Sequence, residues 1–215
     1  MRLFIVLSTV AFVIISQGGA QEKPAPLKEL DKIASDALVT FSELVTKENY
    51  QAMGFASPDE VKVATLDVPV RVFVVRLDEL QKYEPGSDPS PLLSGGEHVI
   101  FPVAVEENVR SSIILEKVVE KWEVTGFGSP NLIKMITDVR KDETESTRLP
   151  AYFFFVVTVP AMNLYFVAHR IGEVLMLSPI RDEPLYGFKA GITMRADEVF
   201  EALLPAAQEH DGLPR

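Results

Sequence analysis

Three histidines, a scatter of adjacent carboxylates and no cysteine bound the chemistry this 215-residue chain can carry. His98, His169 and His210 are its only imidazoles. None has a second histidine or a carboxylate at a metal-binding spacing such as H-x-x-x-H, and the Arg170 cation beside His169 disfavours a metal there. Without cysteine there are no thiol nucleophiles, thiolate metal sites or disulfides. The carboxylate pairs Glu106-Glu107, Asp142-Glu143, Asp182-Glu183 and Asp197-Glu198 are candidates for general acid–base work. All four fall in predicted turns, a linker or a helix N-terminus, where acidic residues serve solvation and the helix dipole. No G-x-S-x-G elbow is present, and Ser111-Ser112 sits inside a predicted strand. Gly126-Phe127-Gly128 lacks the lysine of a phosphate cradle, and the helix N-terminus at Ser129 to Leu132 is an ordinary anion-friendly helix end. The sequence therefore points to no catalytic residue, no metal ligand and no cofactor. Its candidate interaction residues are Leu92 and Leu93, within a proline- and glycine-rich loop, and the sole tryptophan, Trp122.

The elements that must position these residues follow from periodicity. Leu30, Ile33, Ala34, Ala37, Leu38, Phe41, Leu44 and Val45 recur at three and four, predicting an amphipathic helix from Leu27 to about Lys47. Ser57-Pro58-Asp59-Glu60 reads as a capping box opening a short helix. The β-branched run from Val70 to Leu77 predicts a strand, with a helical turn from Asp78 to Tyr83. Glu84 to Gly96 reads as an exposed loop. Three strands in hairpin succession are expected at 98–105, 109–117 and 121–127. A helix capped by Ser129 should run to Arg140, followed by a charged linker from Lys141 to Arg148. The run from Tyr152 to Val159 is apolar without alternation, as a central strand covered on both faces requires. Strands at 163–170, 173–179 and 188–194 and a helix at 196–208, ended or kinked by Pro205, complete the order. The tail from Asp211 should fray.

These elements sum to an α+β fold: an antiparallel β-sheet of about seven strands packed with three main α-helices. Each group of strands closes with a helix, so two similar β-rich halves, 21–140 and 150–215, are one arrangement. A single antiparallel sheet with the helices on one face and one shared core is the other.

Residues 1–20 read as a cleavable signal peptide. Arg2 is their only charge, Leu3 to Ile15 is almost unbroken apolar sequence, and Gly18 and Ala20 supply small residues before the cut. The apolar run is shorter than the roughly 20 residues a spanning helix needs. A mature chain would start at Gln21, with 21–26 as a flexible leader, and work in the periplasm or as a secreted protein with no stable membrane span. Net charge is −10, and −11 once Arg2 is removed (20 basic against 31 acidic). A chain this acidic is repelled by phosphate backbones, so nucleic acid is not an expected partner.

The order of helix and antiparallel strands resembles cystatin-like inhibitors and the Tic-type proteins of organelle and cyanobacterial envelopes in layout alone. The Q-x-V-x-G inhibitory loop of the former is missing, and no functional residue carries over. The function expected from the sequence is an exported, non-catalytic protein that binds another exported protein or peptide, chaperone-like or inhibitor-like. Alternatives are a hydrolase using dispersed carboxylates and a structural envelope protein tethered by a retained N-terminal segment.

Overall fold

The computed structural model describes residues 25–210, with side chains from 29 onward. The expected signal peptide, the expected leader as far as Pro24 and the tail from Asp211 lie outside the described residues. Four helices, α1 (Ala25–Leu44), α2 (Leu77–Leu80), α3 (Pro130–Thr147) and α4 (Ala196–Gln208), pack on one sheet. Its strands are β1 (Thr65–Leu66), β2 (Val70–Val75), β3 (Leu93–Val105), β4 (Asn108–Val118), β5 (Lys121–Phe127), β6 (Phe155–Val159), β7 (Leu164–Ile171), β8 (Val174–Pro179) and β9 (Met194–Arg195). The fold is α+β, as the periodicity predicted.

The strand order is β5-β4-β3-β2-β6-β7-β8-β9, with β1 pairing β3. Every pairing is antiparallel except β2 with β6, which is parallel. The sheet is thus two four-stranded meanders joined back to back at their first strands, a mixed sheet rather than a purely antiparallel one. β6 is central, and its apolar run is buried from Val156 to Val159.

Side-chain alternation assigns the two faces. Val70 and Val72 of β2, Ile100 of β3, Val156 of β6 and Val167 of β7 pack with Ile133, Ile136 and Val139 of α3. The opposite face carries two separate cores. Val99, Phe101, Val103, Ile113 and Leu115 lie under Leu30, Ala34, Ala37 and Phe41 of α1. Val157, Val159, Phe166, Ala168 and Leu177 lie under Val199, Phe200, Leu203 and Ala207 of α4. Helices therefore cover both faces, which corrects the one-faced arrangement: α3 lies over the centre of one face, and α1 and α4 over the flanks of the other.

Several local expectations change. The stretch expected as a linker, Lys141 to Arg148, continues α3 to Thr147. Glu143 is turned inward and 4% exposed, and the hydroxyls of Thr144 and Thr147 donate to the carbonyls of Arg140 and Glu143. Arg148 then turns left-handed (φ 60°), and the residues leading into Pro150 cannot extend the helix. Ser129 stands at the start of α3 but is itself left-handed and makes no side-chain cap. The capping box at Ser57 is not formed: only a 3-10 turn, Glu60–Val63, follows. Glu60 instead accepts from the Ala56 N–H at 2.6 Å and pairs with Arg110 at 3.1 Å. The expected loop gives up Leu93 to Gly96 to a thirteen-residue β3. The last strand shrinks to Met194–Arg195, and α4 runs through Pro205 to Gln208. Among the described residues no helix is long and apolar enough to cross a membrane.

Candidate functional site: an arginine-flanked cleft

Because α1 and α4 cover only the flanks of their face, the strands between them, β2 and β6, keep an open floor. A cleft of about 400 Å³ lies there. Alternation puts Arg71 and Phe73 of β2 on this face, cross-strand from Val99, while β6 contributes Phe155. The Phe73 and Phe155 rings meet edge to face, centroids 5.2 Å apart at 73°, the arrangement that aromatic quadrupoles favour. Val68, Pro69, Tyr152 and Phe154 complete one side, and Ser90 and Leu93 the other.

The wall made by the start of β3 depends on glycine. The β2–β3 register slips between Val72 and Phe73, and Gly95 and Gly96 take up the slack at φ 97° and 89°. A Cβ on Gly96 would stand 3.0 Å from Cε1 of Phe73, so the backbone approaches that ring as closely as it does only because no side chain intervenes.

Two guanidinium groups line the cleft. Arg71 donates from Nη1 to the Gly96 carbonyl at 3.3 Å. Arg170, two strands away on β7, donates from Nη1 and Nη2 to Ser90 Oγ at 3.2 Å, and from Nη1 to the Glu173 carbonyl at 3.2 Å. Elsewhere arginines find carboxylates: Arg76 with Asp78, Arg110 with Glu60, Arg140 with Asp67, Arg181 with Glu183, Arg195 with Asp197. Among the described residues Arg71, Arg148 and Arg170 have none within 4.0 Å, and two of these three share this cleft. Asp88 is close enough to Arg170 to feel its charge. Its carboxyl is held below its ordinary range first by hydrogen bonding from Ser90 and last by the Arg170 charge. No acidic side chain lines the cleft.

Of the three candidate interaction residues, the structure brings only Leu93 to this cleft. Leu92 and Leu93 both pack against the core beneath α4, but Leu92 does not reach the cleft. Trp122 lies on β5 at the far edge of the sheet, partly buried against the core beneath α1. The sequence reading passed over Arg71, Phe73, Phe155 and Arg170. Their signal was parity: Arg71 shares a strand face with Phe73 and Val75, and Arg170 shares one with Phe166 and Ala168. A charge in register with apolar neighbours needs a reason, and here it is the rim of an uncovered floor.

The acid–base candidates are dispersed. Asp142 and Glu143 diverge on α3, one exposed and the other buried. Asp182 accepts from the Ala190 N–H while Glu183 pairs with Arg181. Asp197 pairs with Arg195, and Glu106-Glu107 occupies an exposed turn. The closest approach to a catalytic grouping is on the α3 face. There Ser178 Oγ donates to Glu143 Oε1 at 2.6 Å, the Thr193 hydroxyl donates to the same oxygen, and His169 Nδ1 lies 3.9 Å from Glu143 Oε2. The serine proton is directed at the carboxylate, not at the imidazole, which is the reverse of an activated nucleophile. His169 is 1% exposed, packs tilted at 58° against Phe154 with centroids 5.2 Å apart, and neither ring nitrogen has a hydrogen-bond partner among the described residues. Burial pushes its pKa down, and the Glu143 charge opposes that only in part. The grouping ties the last turn of α3 to β8; none of its four residues lines the cleft. Set against family models, curated proteins and solved structures, the chain finds no match in any of the three.

Proposed function

We propose that this chain is an exported, non-catalytic protein that binds a segment of another exported protein or peptide in the cleft between α1 and α4. The observation that carries the reading is the cleft's composition: an aromatic and aliphatic floor flanked by two arginines with no carboxylate within 4.0 Å among the described residues, in a chain of net charge −10. An occupant that supplies an acidic side chain or terminal carboxylate gains charge-assisted hydrogen bonds to the guanidinium forks. One that supplies an aromatic or branched aliphatic side chain covers Phe73 and Phe155, each such buried side chain being worth about 2 kcal/mol. The cleft supports this better than strand addition at a sheet edge. β9 is two residues long, and β5 carries Lys121 and Glu123 beside a register slip against β4, all features that discourage edge pairing. The export part of the reading rests on residues 1–20.

Fluorescence anisotropy tests the binding. A labelled peptide alternating phenylalanine and aspartate is compared with its counterpart carrying lysine for aspartate. The acidic peptide binds about tenfold tighter or more, the margin expected of a charge-assisted hydrogen bond, and added salt weakens it. Replacing both Arg71 and Arg170 by glutamine removes that preference. Equal binding of the two peptides, or an unchanged preference in the double variant, defeats the reading. Intact mass of the protein recovered after export tests the other part: the chain should begin at Gln21.

A further inference from the structure

The α3 face holds a second space, separate from the cleft. Beneath the first half of α3 a cavity of about 260 Å³ opens between the helix and the sheet. Its walls are mostly aliphatic, with Leu132, Ile133 and Ile136 above, Val72, Ile100 and Val156 below, and the Tyr165 ring beside them. Close-packed interiors leave few voids larger than a water molecule, and a dry apolar cavity of about 150 Å³ already binds an aromatic ring. A space of this size and lining is large enough for a small apolar ligand.

Five side chains with polar atoms line it, Ser112, Ser129, Thr158, Tyr165 and His98, and of these only His98 has a buried atom with no hydrogen-bond partner among the described residues. Ser112 Oγ donates to the Gly128 carbonyl at 2.6 Å, and Thr158 Oγ1 donates to the Leu164 carbonyl at 3.0 Å, so both protons are engaged. His98 differs. Its side chain is 35% exposed, at the rim, yet Nε2 is buried and has no hydrogen-bond partner among the described residues. Nδ1 faces Glu116 Oε1 at 3.8 Å. The carboxylate favours the tautomer protonated on Nδ1, which leaves Nε2 as an acceptor seeking a donor. An anionic ligand would meet apolar walls and the Glu116 charge, both unfavourable.

We propose that this cavity is a binding site for a small neutral alcohol or phenol, its hydrocarbon body among the aliphatic side chains and its hydroxyl donating to Nε2 of His98. Burial holds the imidazole below its ordinary pKa, so the acceptor form persists at neutral pH. A ligand of about ten non-hydrogen atoms fills such a space at interior packing density.

Titration calorimetry of the purified protein with 1-naphthol, naphthalene and 1-naphthoate tests the assignment. Naphthol binds, naphthalene binds about five- to tenfold more weakly for want of one hydrogen bond, and naphthoate binds least. His98→Phe equalises naphthol and naphthalene while leaving the latter unchanged. Leu132→Trp, which intrudes on the cavity from its half-buried position, weakens both. Urea unfolding of each variant separates a blocked cavity from a lost fold. Equal binding of naphthol and naphthalene by the unaltered protein overturns the proposal, as does no binding of either. Naphthol binding unaffected by both substitutions also overturns it, because the ligand then sits elsewhere. The arginine cleft shares no side chain with the proposed contact, so Arg71→Gln leaves naphthol binding as it was.

Discussion

The two faces of this sheet are built from the same kind of strand and end in opposite conditions. On one, α3 runs over the centre, where β2, β3, β6 and β7 meet, and the polar groups at its last turn are closed in with Glu143. On the other, α1 and α4 take the flanks, and the same central strands show Arg71, Phe73 and Phe155 to an open cleft. The difference teaches that helix placement, not strand composition, decides what a central strand exposes. β2 reads as a nearly apolar run, yet Val70 and Val72 are core under α3 while Arg71 and Phe73 are the floor of a site.

Substitutions can break that comparison. Ile136→Ala under α3 should cost about 3 kcal/mol in urea unfolding, since the residue is 1% exposed and its loss widens the neighbouring cavity. A cost below about 1 kcal/mol would mean that the α3 face is not the closed one. Gly96→Ala should cost about 2 kcal/mol, from positive φ and from the 3.0 Å approach to Phe73, and should disturb the cleft wall. Phe73→Ala on the half-covered floor should cost only about 1 kcal/mol in stability but abolish acidic-peptide binding. If it destabilised the fold as much as Ile136→Ala, the cleft floor would be core.

Acid supplies a subtler contrast. The folded-state pKa of His169 lies below its unfolded value of about 6.5. Above that pH the imidazole is neutral in both states and costs nothing. As pH falls through 6.5 the unfolded chain takes the proton first, so stability is lost until the folded pKa is passed. Urea midpoints should therefore drop as pH falls from about 7 to 5, and His169→Gln should reduce that slope to the part His98, also lowered by burial, contributes. An unaltered slope would assign the acid sensitivity elsewhere. The smallest effect is expected at the rim. Arg170→Gln should change stability by no more than about 0.5 kcal/mol, its contacts being to Ser90 and one carbonyl.

Much of the architecture was readable in local pattern. The stripe from Leu30 to Phe41, the β-branched run at Val70, the unalternating run ending at Val159 and the inward residues of the last helix all name their elements, because periodicity records which sides of a segment are buried. The pattern failed where burial was set by something distant. Lys141 to Thr147 reads as linker because its charges outnumber its apolar residues, and nothing local shows that Glu143 turns inward to hydroxyls from β8 and Thr193. Ser57 and Ser129 are good caps by type, but the chain around them takes other conformations. Leu92 and Leu93 look alike in sequence, and the fold packs both against the core beneath α4 but brings only Leu93 to the cleft wall as well.

By itself, the sequence determined the α+β class, the main elements and the limits on chemistry, since these depend on residue types and on spacings within about twenty positions. Only the tertiary structure decided that β2 and β6 lie side by side in parallel, that α1 and α4 share one face, and that Arg71 and Arg170 flank one cleft. Those facts depend on contacts between residues as many as a hundred positions apart, which no local period encodes.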